Sequence, residues 1–227
     1  MDQALRDISN CNINKFRTLD QQDGTQYSGG FISICQNSNI QNCSAQNINI
    51  EGNIKAIPTY ITYNRSGGFI GKCTGGNISK CYCQGTISGY ENIGGFIGEA
   101  NNVIIEQCYA YCDVSGVTGN VTGFIGIINT YPIIINNCYV RGSINRHTPS
   151  NITPLDIYLS GFLPQVKEKN NTLDKCYSAV NYNFEDYETV TSKTKIYGIA
   201  YVNATAIRTY ILGTSYYDSS LTKAPEK

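Results

Sequence analysis

The chain has 227 residues, 15% of them charged, and its 17 Lys plus Arg balance 17 Asp plus Glu. Without a cationic excess the composition excludes a phosphate-neutralising surface for nucleic acid or anionic lipid. No run approaches the about 18 apolar residues a membrane helix needs. Asn, Ile, Gly, Tyr, Ser and Thr dominate, helix formers are scarce and Trp is absent, a mixture of strand and turn residues that predicts an all-β chain.

Residues 1–27 show no basic-then-apolar leader. They hold Asn10-Cys11 between Ile8 and Ile13 and then a polar stretch, which predicts an N-terminal cap with a short helical turn near Ala4. From residue 28 to 214 two phrases alternate. The first reads Gly29-Gly30-Phe31-Ile32, Gly67-Gly68-Phe69-Ile70-Gly71, Gly94-Gly95-Phe96-Ile97-Gly98, Gly123-Phe124-Ile125-Gly126 and Gly161-Phe162-Leu163, with an eroded copy at Gly198-Ile199. The second reads Cys43-Ser44, Cys81-Tyr82, Cys108-Tyr109, Cys138-Tyr139 and Cys176-Tyr177, closing on Ser215-Tyr216. Two phrases in fixed order, returning every 27 to 38 residues, mean a stack of similar units.

The first unit, 28–66, takes Ile34, Ile40, Ile48 and Ile50 as its apolar positions and carries an insertion at 56–60. Units 67–93 and 94–121 are the most regular. Each predicts a strand at Gly-Phe-Ile-Gly, a turn at Gly75-Gly76-Asn77 or Asn101-Asn102, a strand through Cys-Tyr, and a third strand at 85–88 or 113–115. Unit 123–159 is regular to Ile144 and then leaves the coil at Asn145-Arg146-His147-Thr148-Pro149. Unit 161–195 carries an acidic loop at 185–188, and 215–227 form a C-terminal cap and tail.

Three short strands and three turns in under 30 residues describe one coil of a parallel β-helix, in which winding supplies the long return that parallel strands require. The expected fold is a single all-β solenoid of five to six coils with irregular caps, right-handed by the crossover rule. The Gly-Gly pair is expected to supply positive φ at a corner and room for the next coil. The recurring Phe residues are expected to stack inside.

Six of the ten cysteines (Cys11, Cys43, Cys81, Cys108, Cys138 and Cys176) share one repeat position, and Cys35 and Cys73 share another. They read as reduced core ladders, since free Cys is among the most buried residue types. Cys83 and Cys112 are the candidates for a disulfide. His147, the single histidine, reads as a loop residue rather than a catalytic base. The Cys81/Cys83 and Cys108/Cys112 spacings lack the tight pairing of structural zinc sites, so no metal or cofactor is expected. Glu99, Glu106 and Asp113, and the loop carboxylates Glu185, Asp186 and Glu188, read as solvated surface rather than a hydrolytic pair.

With Cys inward, strand alternation sends Tyr82, Tyr109, Tyr139 and Tyr177 outward, about 5 Å apart. They form a candidate contact stripe for a partner protein, a glycan or another solenoid. Seven Asn-x-Ser/Thr sequons, at Asn42, Asn64, Asn77, Asn120, Asn151, Asn170 and Asn203, are possible glycosylation sites against about four from composition of this kind.

Gly-Phe-Ile-Gly followed by Cys-Tyr, Gly-x-Ile and a polar glycine turn resembles the GLUG-motif repeat, found in bacterial surface adhesins, and the closing Thr214-Ser215-Tyr216-Tyr217-Asp218-Ser219 resembles the phrase that ends such arrays. The resemblance implies a β-solenoid used for surface adhesion or as a spacer, and it brings no catalytic residues. The expected function is non-enzymatic: a rod or filament component at the cell surface or outside the cell, contacting protein, glycan or its own copies by lateral or head-to-tail stacking, with no nucleic-acid partner and no membrane insertion. The alternatives are a scaffold subunit of a cytoplasmic assembly and a carbohydrate-active β-helix.

Overall fold

The computed structural model describes residues 6–19, 26–52, 64–130, 132–147, 156–166, 171–184, 194–198, 200–202, 210–212 and 216–217. All regular structure among them is strand, and the strands pair in parallel, each with its counterpart one coil on. The protein is a parallel β-helix. Its strands form one sheet of nine and one of eleven, with a further pair between Leu163–Val166 and Ala200–Val202.

Each coil contributes four strand segments rather than three. A glycine-phenylalanine ladder runs through the starts of Ile32–Gln41 and Ile70–Ser79 into Ile97–Asn101 and Ile125–Thr130. A second ladder, just before the cysteine, joins Arg6–Ser9, the ends of the same two long strands, Ile104–Glu106, Ile134–Asn136, Asn171–Asp174 and Tyr210–Leu212. The cysteine-tyrosine ladder runs from Asn12–Leu19 through Ser44–Glu51, Tyr82–Gly94, Tyr109–Thr122 and Tyr139–Arg146 to Tyr177–Phe184 and Tyr216–Tyr217. A fourth ladder leads into each glycine phrase, from Gln26–Gly29 through Asn64–Gly67 to Ile157–Ser160 and Thr194–Tyr197.

Several expectations are corrected in detail. Asn77 belongs to a strand, not a turn, because Gly75 and Gly76 make the corner with φ of 70° and 91°. Parallel pairing begins at Arg6, ahead of the expected start at residue 28, and Asn145 and Arg146 stay in the coil, paired with Asn183 and Phe184. Ile34 faces solvent at 53% exposure, since its neighbour Cys35 takes the inward side of the same strand. The helical turn near Ala4, the insertion at 56–60 and the acidic loop at 185–188 lie outside the described residues.

Equivalent residues sit above one another and make the interior. Ile40, Ile78, Ile105, Ile135 and Leu173 form one buried column, and Ile50, Ile87, Val114, Ile144 and Tyr182 another. Phe69, Phe96, Phe124 and Phe162 are fully buried, with successive ring centroids 4.6–5.0 Å apart, and Phe31 caps the column at 4.8 Å from Phe69. No single coil encloses these side chains, so only the stack excludes water from them.

The glycine pairs answer to space, not to φ: neither Gly67 nor Gly94 has a positive φ. A Cβ on Gly94 would stand 2.1 Å from the Ile97 carbonyl oxygen, and one on Gly98 would stand 2.7 Å from the Gly71 oxygen and 2.8 Å from the Arg65 carbonyl carbon. These are main-chain atoms that no rotamer change can clear. The glycine-phenylalanine ladder and the ladder that leads into it therefore lie backbone to backbone.

Positive φ appears instead just before each of the six cysteines that share the second-phrase position, at Asn10, Asn42, Lys80, Gln107, Asn137 and Lys175, all between 51° and 57°. Asn favours this region; Lys and Gln do not, so the stack imposes it on them. The corner leaves the cysteine N–H without the usual carbonyl partner, and a thiol fills the gap. The N–H groups of Cys11, Cys43, Cys81 and Cys108 donate to the sulfur of the next coil's cysteine at 3.4 Å. The thiols of Cys43, Cys81, Cys108, Cys138 and Cys176 donate to the carbonyl two residues earlier at 3.1–3.2 Å. The recurring cysteine thus closes the hydrogen-bond account of a buried corner, where an orphaned N–H is costly.

Candidate functional site

The cysteine-tyrosine ladder positions the expected contact stripe. Its cysteines from Cys43 to Cys176 are buried while Cys11, at the end of the stack, is exposed, and Tyr82, Tyr109, Tyr139 and Tyr177 stand in one register row on the outer face. Tyr109 and Tyr177 are 40% and 38% exposed, while Tyr82 and Tyr139 are half-buried. The rings come together in two stacked pairs: Tyr82 with Tyr109 at 4.7 Å and 5° between planes, and Tyr139 with Tyr177 at 5.7 Å and 3°.

Parallel stacking decides what the stripe offers. The two faces that meet within each pair are withdrawn from solvent, so the row presents ring edges and phenol hydroxyls rather than a broad aromatic platform. Burial, and then the Tyr82 phenol beside it, push the Tyr109 hydroxyl above its ordinary pKa. The Tyr82 hydroxyl accepts a hydrogen bond from the Gln46 side-chain amide.

Two residues along each strand the same face carries a second row, where Tyr111 is 46% exposed and the Arg141 guanidinium lies 5.6 Å from its ring centroid. Beyond it run two polar rows, one through Asn49, Thr86, Asp113 and Ser143 and the next through Asn145 and Asn183. Ser143 donates to Asp113 at 2.6 Å, Thr86 to Asn49 at 2.9 Å, and Asn183 to Asn145 at 3.0 Å. These side chains bond from coil to coil as the backbone beneath them does, so the flank is flat and ordered along its length.

Of the sequons, Asn42 lies exposed at a left-handed corner. Asn77 is exposed but donates its amide to Asn39 at 3.3 Å. Asn120 is half-buried and donates to Asn92 at 2.9 Å. Asn64 starts the strand Asn64–Gly67; Asn151, Asn170 and Asn203 lie outside the described residues.

Cys83 and Cys112 are brought together, both buried, with sulfurs 3.7 Å apart. That exceeds the about 2.05 Å of a disulfide, and both are free thiols. Their register is diagonal, because Cys83 faces Ala110 and Cys112 faces Gly85. Glu99, Glu106 and Asp113 stand on three different ladders. His147 is half-buried, and its backbone N–H donates to the Gly116 oxygen at 2.8 Å.

Glu106 and Asp113 are exposed, but the expectation that Glu99 is solvated surface is corrected, because two cations bury it. Glu99 is 2% exposed and is paired with the cations of two coils. Lys72 reaches its carboxylate at 3.0 Å, Arg65 pairs with it, and Asn101 donates to it at 2.9 Å. Tyr27 lies over both cations, 4.8 Å from Lys72 and 5.9 Å from Arg65. Lys72 and Glu99 are register partners, a relation visible only once the coils are aligned.

Comparison with protein-family models, curated proteins and solved structures finds no match. The solenoid assignment therefore rests on the strand pairing.

Proposed function

We propose that the chain is a non-catalytic structural and adhesive rod, at a cell surface or outside the cell, whose tyrosine flank meets a protein or glycan partner. The observation that carries this reading is the outward row of two stacked tyrosine pairs, with Tyr111 and Arg141 beside it, on a strand face backed by a fully buried core. Tyr and Arg are enriched at contact surfaces. Rings already held by their neighbours have little rotamer freedom left to lose on binding. With edges and hydroxyls outward, the flank is suited to hydrogen bonding along an extended partner. The GLUG-like phrases point the same way.

The test is solid-phase binding of the whole chain to immobilised glycans and extracellular-matrix proteins, beside the variant carrying Tyr109→Ser and Tyr177→Ser. Saturable binding that the double variant loses, with its thermal unfolding unchanged, supports the reading. Failure of the wild-type chain to bind, or equal binding by both, refutes it.

A second reading, a scaffold subunit inside the cell, draws on the cysteines, nine of them buried in the stack, because core thiols persist in reducing compartments. Mass spectrometry of the native protein, alkylated at lysis, separates the two: glycans on the sequons favour the first, and a fully alkylated, unglycosylated chain the second.

A further inference from the structure

We propose that Cys35 and Cys73 form a redox-active dithiol, which a low-molecular-weight disulfide such as oxidised glutathione converts into a disulfide between the first two glycine-phenylalanine coils. The two residues are direct register partners on adjacent parallel strands, and their sulfurs lie 3.0 Å apart. Neighbouring strands about 4.8 Å apart fall inside the Cα separation of about 4.4–6.8 Å that a disulfide spans. The bond therefore needs rotation of two side chains and no movement of the ladder.

Three features single out this pair. The column continues with Ala100 and then Ile128, so no third sulfur is in line to exchange with it. The start of Ile32–Gln41 pairs on one side only among the described strands, which places Cys35, 6% exposed, at the end of the column where a small reagent arrives. The corner cysteines Cys43, Cys81, Cys108 and Cys138, by contrast, have their sulfurs committed to backbone on both sides, and the exposed Cys11 donates its thiol to the Ser9 oxygen at 3.3 Å. Cys83 and Cys112 are both inside the stack and only diagonal to each other.

The same contact orders the chemistry. Hydrogen bonding with Cys73 is the largest influence on the Cys35 thiol and holds it below its ordinary pKa, while that contact and burial push Cys73 up. Cys35 is therefore the attacking thiolate. It displaces one small thiolate from the disulfide reagent and becomes a mixed disulfide. Cys73 then attacks the Cys35 sulfur, giving its proton to the medium and expelling the second thiolate. One protein S–S bond forms, the reagent's S–S bond is reduced, and the two protons lost by the protein end on the two small thiols. The link ties the first coil of this ladder to the second, where a terminal coil otherwise has one neighbour to hold it.

The experiment incubates the reduced full chain with oxidised glutathione under native conditions, alkylates the remaining thiols and maps disulfides by peptide mass spectrometry. The first bond is expected between Cys35 and Cys73, with a thermal midpoint raised by several degrees and restored by reductant. Cys73→Ser is expected to stop at a glutathionylated Cys35. A first bond elsewhere, no bond in the native chain, or a wild-type bond that leaves the midpoint unchanged overturns the proposal. The wild-type map decides the matter even where a variant fails to fold.

Discussion

Replacing Phe96 by Ala tests the stacked interior most directly. Phe96 is 0% exposed, and its ring lies between Phe69 at 5.0 Å and Phe124 at 4.8 Å. Burying a Phe and then truncating it costs about 3–5 kcal/mol. The loss of two ring contacts, each about 0.5–1.5 kcal/mol, places this site near the upper end at about 4–5 kcal/mol. Phe31 makes one such contact at 4.8 Å and is half-buried at the end of the column, so Phe31→Ala is expected to cost about 1–2 kcal/mol by the same reasoning. Solenoid stability is a sum of nearest-neighbour terms, so a lesion between two coils on each side also uncouples the halves of the stack. Urea unfolding followed by far-ultraviolet circular dichroism measures both variants. A cost below about 1 kcal/mol for Phe96→Ala, or equal costs for the two substitutions, would refute a stacked aromatic interior.

Gly98→Ala brings a Cβ against main-chain atoms of Gly71 and Arg65, whereas Gly89→Ala meets the Ile93 Cδ1 end of a movable side chain at 2.4 Å. Urea titration should show a loss of about 3 kcal/mol or more for the first and about 1 kcal/mol for the second. Cys108→Ala removes the sulfur that accepts the buried Cys81 N–H, an expected loss of about 1–3 kcal/mol from the orphaned donor; Cys108→Ser, which keeps an acceptor, should lose less in the same titration. Burial raises the pKa of Glu91, outweighing the Arg65 charge and the Asn92 hydrogen bond that lower it. Folded Glu91 therefore holds its proton more tightly than the unfolded chain does, and its contribution to stability falls as pH rises from about 4.3, the unfolded value, through the raised folded one. Glu91→Gln should be more stable than wild type at neutral pH and equal to it in acid, measured as thermal midpoints across pH. An unchanged gap at every pH would refute the assignment.

The coil repeat was legible without coordinates because the two phrases mark positions that recur whatever the geometry between them: Phe69, Phe96 and Phe124 in one column, Cys81, Cys108 and Cys138 in another, with Tyr82 and Tyr109 on the opposite side by alternation. Periodicity says which residues are equivalent and which face they share. It is silent on how a coil bends and on what touches across coils. The short Ile-rich segments at 104–106 and 134–136 carry no strand signal of their own because three residues are too few to show alternation, and pairing with neighbouring coils is what makes them strands. The glycine pairs carry no mark that separates a positive φ from a crowded Cβ; the approach of Gly71 to Gly98 settles it.

Sequence alone therefore determined the stack, its inward and outward rows, and the identity of the buried columns, since burial of a recurring apolar set demands them. Tertiary structure alone decided the four-sided coil, the left-handed corners at Lys80 and Gln107, the thiol that accepts a buried N–H, and the pairing of Arg65 and Lys72 with Glu99. Each of these is a contact between residues about one coil apart in the chain, and no local pattern records the distance across which the coils meet.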